Sequence, residues 1–306
     1  MTNIYKDKEI YDNKGDHIYW AVNGHRFGRF DYKAAPDQYF KFDYEIPFDT
    51  IFTDYQTEVR NGLIKIYQKY KKTLAICVSG KDSEIILREA VYLGIPCKMY
   101  FLDLWGINHW MCSKVIELSK ELSVELVVVS LTEQQCLEEV IFDSYKIMST
   151  LKPTYLCVPY LFKNIPTDEF IIVGEGDLGK DNPVYSLYWP KDYNGIPILS
   201  SEIVYRIWAQ ENKRYGEFYF HSSTPELVLS GYNHPLLYRD NPMIYTDKMY
   251  NQYWPELKFK QKTANFENNK DTIDLIKTIL LNLKLQEDKV VGTFVPNRSV
   301  ARSIPM

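Results

Sequence analysis

From residue 73 onward the chain alternates short apolar runs with amphipathic stretches, and no other feature constrains its fold as much. Residues 73–78 form a continuous apolar run that predicts a buried strand, and Ile86, Ala90 and Leu93 then mark one face of a helix. Residues 97–102 predict a second strand, Met111, Val115, Leu118 and Leu122 a second helix, and 124–129 a third strand. A helix over 132–145 and a strand over 170–173 follow. Strands that are apolar on both faces and joined by helices pair in parallel, because a parallel neighbour requires a crossover long enough to hold a helix. The expectation is therefore an α/β fold, a parallel sheet with helices on both faces, with ligands bound beyond the carboxyl ends of the strands.

The flanks read differently. Alternating residues 17–22, the turn pair Asn23-Gly24 and a second alternating run over 25–32 predict a β-hairpin. Val59, Leu63, Ile66 and Tyr67 at helical spacing predict a helix over 55–70. Beyond Gly174 the chain is rich in Tyr, Pro, Asn and Trp, and helices are expected at 201–212, 225–229, 247–253 and 271–283. This divides the chain into a hairpin and helix region (1–70), a nucleotide-binding core (71–181), a mainly helical acceptor-side region packed on that core (182–285) and a tail (286–306).

Composition excludes several classes. A formal net charge of -4 gives no basic field with which to attract nucleic acid broadly. Cys77, Cys97, Cys112, Cys136 and Cys157 are dispersed and odd in number, which suits reduced thiols in a cytoplasmic protein better than a disulfide framework or a clustered zinc site. The five histidines form no metal motif, and most of them read as structural or surface residues. No stretch approaches the ~20 apolar residues of a membrane span.

The chemistry concentrates at Ser79-Gly80-Lys81-Asp82-Ser83, which follows the first core strand and opens a helix. Such a turn presents first-turn amides to an anion; Gly80 allows close backbone approach, Ser79 and Ser83 add hydroxyls, and Lys81 adds charge. An ordinary strand-to-helix turn capped by Ser79 or Asp82 would account for the same residues without a ligand.

The segment 77–85 resembles the SGGxDS loop of the PP-loop ATP pyrophosphatases, although it is one residue shorter and lacks one glycine. Ile171-Ile172-Val173-Gly174-Glu175-Gly176-Asp177 is similar to the GEGxDE segment of asparagine synthetase-like domains, the nearest branch. The resemblance spans about residues 73–181 and implies an adenine nucleotide alpha hydrolase-like sheet that binds ATP and Mg²⁺. It implies that Ser79, Gly80, Lys81 and Ser83 hold phosphates, that Asp103 and Gly174 lie beside the nucleotide, and that Asp82, Glu175 and Asp177 organise Mg²⁺. Lys262, in a late basic run with Lys260 in reserve, is the implied lysine over the reaction centre.

The function so implied is adenylation: a carboxylate or carbonyl oxygen of a small or macromolecular acceptor attacks ATP, pyrophosphate leaves, and an amide or similar bond forms. Thr2 stands where a glutamine-hydrolysing asparagine synthetase would carry a nucleophilic Cys, so an amine would come from elsewhere. The alternatives are a sulfonucleotide reductase or sulfurtransferase-like protein, and a nucleotide-binding protein without catalysis.

Overall fold

The computed structural model describes residues 51–148, 153–174, 205, 208–209, 211–232, 234, 242–259, 274–276 and 278–279, together with the backbone of three strands nearer the N-terminus. Those three are β1 (Ile18–Val22), β2 (His25–Phe30) and β3 (Phe40–Tyr44). β1 and β2 pair antiparallel across Asn23-Gly24, as the turn signal predicts, with a register shift between Trp20 and Ala21. The sequence pattern did not indicate β3, which adds to β1 in parallel.

Helix α1 (Tyr55–Tyr70) is bounded by local chemistry. The Asp54 carboxylate accepts from the Thr57 amide at 3.1 Å, and Lys71 closes the helix in the left-handed region with φ 52°, its amide bonded to the Tyr67 carbonyl. Beyond it lie β4 (Leu74–Cys77), α2 (Lys81–Tyr92), β5 (Cys97–Leu104), α3 (His109–Leu122), β6 (Leu126–Leu131) and β7 (Phe170–Val173). Between β6 and β7 the described residues include the helices α4 (Glu133–Gln135), a π turn at Cys136–Val140, α5 (Ile141–Met148) and α6 (Pro153–Lys163). The predicted third helix is thus interrupted, and α6 had no counterpart in the sequence pattern because Pro159 sits inside it.

The core sheet has five strands in the order β6-β5-β4-β7-β8, where β8 is the two-residue strand Gly216–Glu217. Every adjacent pair is parallel. β8 is an addition to the expected C-terminal region, whose described helices include α7 (Pro225–Tyr232) and α8 (Pro242–Tyr253). Helix α8 begins five residues ahead of its predicted start.

Alternation along the strands builds two cores. Leu74 and Ile76 of β4 face a cluster with Ile85 and Ile86 of α2, Val115 and Leu118 of α3, and Val59 and Leu63 of α1. Ala75 and Cys77 face the other cluster, with Leu156 and Phe162 of α6, Trp208 and Phe218. Leu74, Ala75 and Ile76 are fully buried, and each such aliphatic side chain as Leu or Ile contributes about 1.5–3 kcal/mol relative to exposure. Residues after Gly174 join both clusters: Tyr205, Trp208 and Phe218 on one face, Phe220, Leu227, Met249 and Trp254 on the other.

The strand order fixes where a ligand would sit. From β4 the chain runs outward through α2 to β5 and through α3 to β6, with both helices on one face. It then returns by way of α6, on the opposite face, to lay β7 on the other side of β4. β4 and β7 are therefore neighbours from which the strand order runs in opposite directions, to β5 and β6 on one side and to β8 on the other, and their carboxyl ends meet at the topological switch point.

Candidate functional site

Ser79-Gly80-Lys81-Asp82-Ser83 leaves β4 at this switch point, and Gly174 follows β7 beside it. Gly80 is the N-cap of α2, so by helix geometry the amides of Lys81, Asp82 and Ser83 have no intrahelical acceptor; the first helical bond is Glu84 N to Gly80 O at 3.0 Å. These amides and the helix dipole make the turn an anion-binding terminus. A Cβ added at Gly80 would meet nothing within 4 Å, so there is open space over the loop. Its backbone, with φ 173°, is extended, so neither conformation nor packing within the protein demands glycine there.

Gly174 is the opposite case. A Cβ there would lie 2.5 Å from the Ser83 nitrogen and 2.8 Å from its Cα, so the end of β7 is pressed against the first turn of α2 and only glycine fits. The segment carrying Glu175 and Asp177 departs from this contact point, but those two residues lie outside the described residues, as do Lys260 and Lys262.

Ser83 departs from expectation. Its hydroxyl accepts from the amides of Ser79 at 3.0 Å and Gly80 at 3.2 Å and donates to the Gly80 carbonyl at 2.9 Å. With its one proton committed inside the turn and its side chain buried, Ser83 shapes the loop and does not offer a hydroxyl donor to a phosphate. Ser79 is exposed, and Lys81 and Asp82 are half-buried. The Lys81 ammonium lies 5.3 Å from the centroid of the Tyr250 ring, a cation–π contact between the loop and α8.

At the end of β5, Asp103 Oδ1 and Trp105 Nε1 are both buried without a hydrogen-bond partner among the described residues. An acceptor and a donor left unsatisfied at a strand end each cost desolvation that a polar ligand could recover. The turn itself is tightly held: Trp105 has φ 36° and Gly106 φ 93°, and the Asn108 side chain accepts from Leu104 N at 2.9 Å and donates to Leu102 O at 2.6 Å. Asn108 thus clasps the strand end, while His109 is exposed.

Two fully buried side chains, His221 and Tyr55, are linked beneath Asp82. His221 Nε2 lies 3.2 Å from the Asp82 carbonyl, which can only accept, so that nitrogen carries the proton. His221 Nδ1 shares a 2.6 Å hydrogen bond with the Tyr55 hydroxyl. Tyr250 stacks on Tyr55 with ring centroids 6.1 Å apart, and burial pushes both phenols well above their ordinary pKa. Sequence reasoning had placed His221 among structural or surface residues; a histidine directly after Phe218-Tyr219-Phe220 was the available signal.

A second set of buried charges secures the same helix. Glu84, fully buried, accepts from the amides of Lys258 at 2.8 Å and Phe259 at 2.9 Å and from Arg88 Nε at 2.9 Å. Arg88 also reaches Glu121 at 2.8 Å, and Glu89 takes the Trp254 indole N–H at 2.6 Å. The chain that leads into the late basic run is thereby fastened two residues along from Asp82.

Against known proteins, no family model and no curated protein matches this chain. Among solved structures, NMN synthetase from Francisella tularensis is similar over 73% of this chain and 92% of its own, at 14% identity and a TM-score of 0.35. The NH3-dependent NAD synthetase from Campylobacter jejuni is similar over 80% of this chain and 100% of its own, at 13% identity and a TM-score of 0.33. At these TM-scores neither neighbour carries a functional reading; the loop and the switch point carry it.

Asp82 supplies hard carboxylate oxygen, the donor type that suits Mg²⁺. Among the described residues no three His, Cys, Asp or Glu side chains converge as a metal cage. Mg²⁺ bound with a nucleotide commonly takes only one or two carboxylates and fills its remaining positions with phosphate oxygens and water, so Asp82 fits that role. No described helix is long and apolar enough to cross a membrane.

Proposed function

We propose that this protein is an ATP-dependent adenylating enzyme of the PP-loop pyrophosphatase type, using Mg²⁺ and releasing pyrophosphate. The carrying observation is that the turn Ser79–Ser83 lies at the switch point between β4 and β7, open on its outer side at Gly80 and closed on its inner side by Gly174. In this reading the first-turn amides with Ser79, Gly80 and Lys81 hold the β and γ phosphates, and Asp103 and Gly174 border the nucleoside. Bound Mg²⁺ would neutralise phosphate charge, with Asp82 as a ligand and Glu175 and Asp177 as further candidates.

The reaction would proceed by attack of an acceptor carboxylate or carbonyl oxygen on the α-phosphorus. A new O–P bond forms, the bond to the bridging α–β oxygen breaks, and its electrons leave with pyrophosphate. Lys262 is the candidate for stabilising charge on the adenylate, after which a nucleophile displaces AMP. The chain's contribution is positioning and charge stabilisation. One observation favours a second reading, a nucleotide-binding protein without turnover: the Ser83 hydroxyl is committed within the short loop. The test is incubation with Mg²⁺-ATP and candidate acceptors, with nucleotide products separated by chromatography. AMP and pyrophosphate are expected; ADP and phosphate would refute the mechanism, and ATP binding without turnover across a broad acceptor set would favour the second reading.

A further inference from the structure

Two thiols face each other in the core on the α6 side of the sheet. Cys136 opens the π turn that follows α4, Cys157 lies in the first half of α6, and their sulfurs share a hydrogen bond at 3.5 Å. Cys136 is fully buried and Cys157 is 2% exposed. Leu131, Val140, Ile141, Leu156 and Leu161 belong to the same cluster, so the pair sits in a hydrocarbon setting.

Packing alone does not call for two sulfurs in contact. A reduced cysteine fills space as a small hydrophobe, and other small side chains would do the same; what a facing pair adds is the capacity to bond. Closing the gap from 3.5 Å to the ~2.05 Å of a disulfide needs a shift of about 1.5 Å shared between two side chains. The π turn is a second sign, because single π turns among α-helices occur often at functional positions, and this one starts at the residue that meets Cys157.

The pair is also restrained. The hydrogen bond with Cys136, together with burial, holds the Cys157 thiol well above its ordinary pKa of 9.0, and the thiolate is the form that attacks a disulfide. The two thiols are therefore unreactive while this core is closed, and local opening exposes them.

We infer that Cys136 and Cys157 form a reversible dithiol–disulfide latch on the connection between β6 and β7, with a small disulfide such as glutathione disulfide as the oxidant. One protein thiolate attacks glutathione disulfide, whose S–S bond breaks and expels a glutathione thiolate. The other protein thiolate attacks the protein sulfur of the mixed disulfide, which forms the Cys136–Cys157 bond and expels the second glutathione. The protons of the two protein thiols end on the two glutathiones, so the protein loses two electrons and glutathione disulfide gains them. The new bond spans 21 residues and ties the π turn to α6, the helix that precedes β7. β7 leads into Gly174 against the first turn of α2, so the latch acts on an element that builds the switch point. The inference holds whatever the switch point binds.

The test incubates the folded full chain in glutathione buffers of increasing disulfide content, blocks the remaining thiols with an alkylating reagent, and maps the cysteines by mass spectrometry without reduction. The expected product is a peptide pair joined through Cys136 and Cys157, which separates again on treatment with dithiothreitol. Its thermal midpoint should lie roughly 4–8 °C above that of the reduced protein, as for a loop of this length closed without strain. Cys136→Ala and Cys157→Ala should each lose the cross-link and the shift, while Cys112→Ala, a half-buried position elsewhere, should keep both. If the alanine variants do not fold, the mapping on wild-type protein decides alone. A Cys136–Cys157 cross-link that never forms, that forms only in denaturant, or that fails to raise the thermal midpoint would overturn the latch.

Discussion

The two sides of the first turn of α2 are built to opposite specifications. On the outer side Gly80 faces open space, Ser79 is exposed, and the amides of the turn have no helical acceptor. On the inner side Gly174 crowds the Ser83 backbone, Glu84 is fully buried, and the buried His221 ring reaches the Asp82 carbonyl. The outer side leaves open space over Gly80 and first-turn amides without helical acceptors, so that chemistry is available to something else. The inner residues are constrained several times over, and their work is to keep the outer ones still. A binding turn pre-shaped in this way loses little entropy when a ligand arrives.

The largest expected effect lies on the inner side. Glu84→Ala removes the acceptor for two backbone amides and strips Arg88 of its buried partner, and the cost should be about 3–5 kcal/mol. Denaturant unfolding measures it; a loss below about 1 kcal/mol would show that water or rearrangement replaces these bonds and that the inner side is less rigid than described.

The two glycines give the sharpest form of the comparison. Gly174→Ala forces a Cβ to 2.5 Å from a backbone nitrogen and should cost about 1–3 kcal/mol through backbone displacement. Gly80→Ala should leave stability within about 0.5 kcal/mol, because the added methyl meets nothing, yet weaken ATP binding by occupying the space above the turn. Unfolding curves and calorimetry on the two variants should give opposite patterns. A Gly80→Ala variant that binds ATP normally would break the comparison, since the open space would then have no bearing on the nucleotide.

The smallest effect belongs to the rim. Hydrogen bonding from Arg88, with a further contribution from Lys258, holds the Glu121 carboxyl below its ordinary pKa of 4.5 against partial desolvation. A carboxyl with a depressed folded pKa contributes stability that is present above pH 4.5 and lost as pH falls through the lower, folded value. Glu121→Gln should therefore destabilise by under about 1 kcal/mol at neutral pH, and the difference from wild type should vanish in acid. Unfolding midpoints measured between pH 7 and pH 3 would show this convergence; a constant difference would mean that packing, not charge, is responsible.

What the sequence revealed and what it concealed follow from the range of the interactions. The bounds of α1 could be read because its cap and periodicity are local, and the strand–helix alternation identified β4, β5 and β7 because each is apolar within a few residues. The position of the turn at Ser79 was legible for the same reason. Helix α6 was hidden by Pro159, and the third core strand lies two residues later than predicted because Val124 belongs to the approach and not to the ladder. The contacts that link Tyr55, His221 and Asp82 could not be read, because the three lie on separated segments and leave no periodic trace. Ser83 was misread in role because a hydroxyl near an anion site and a hydroxyl that shapes the site look alike until its proton is placed.

The amides of Lys258 and Phe259 end on a carboxylate, not on a neighbouring strand or helix, and this has a kinetic consequence. Amides inside β4 are flanked by strands on both sides and should exchange with deuterium only when the whole sheet opens. The two at 258 and 259 are protected only while their segment stays docked on Glu84, so their exchange should report undocking of that segment alone. They form a built-in clock for how long the chain behind the loop remains fastened, and its rate can be read in the intact protein without altering a residue.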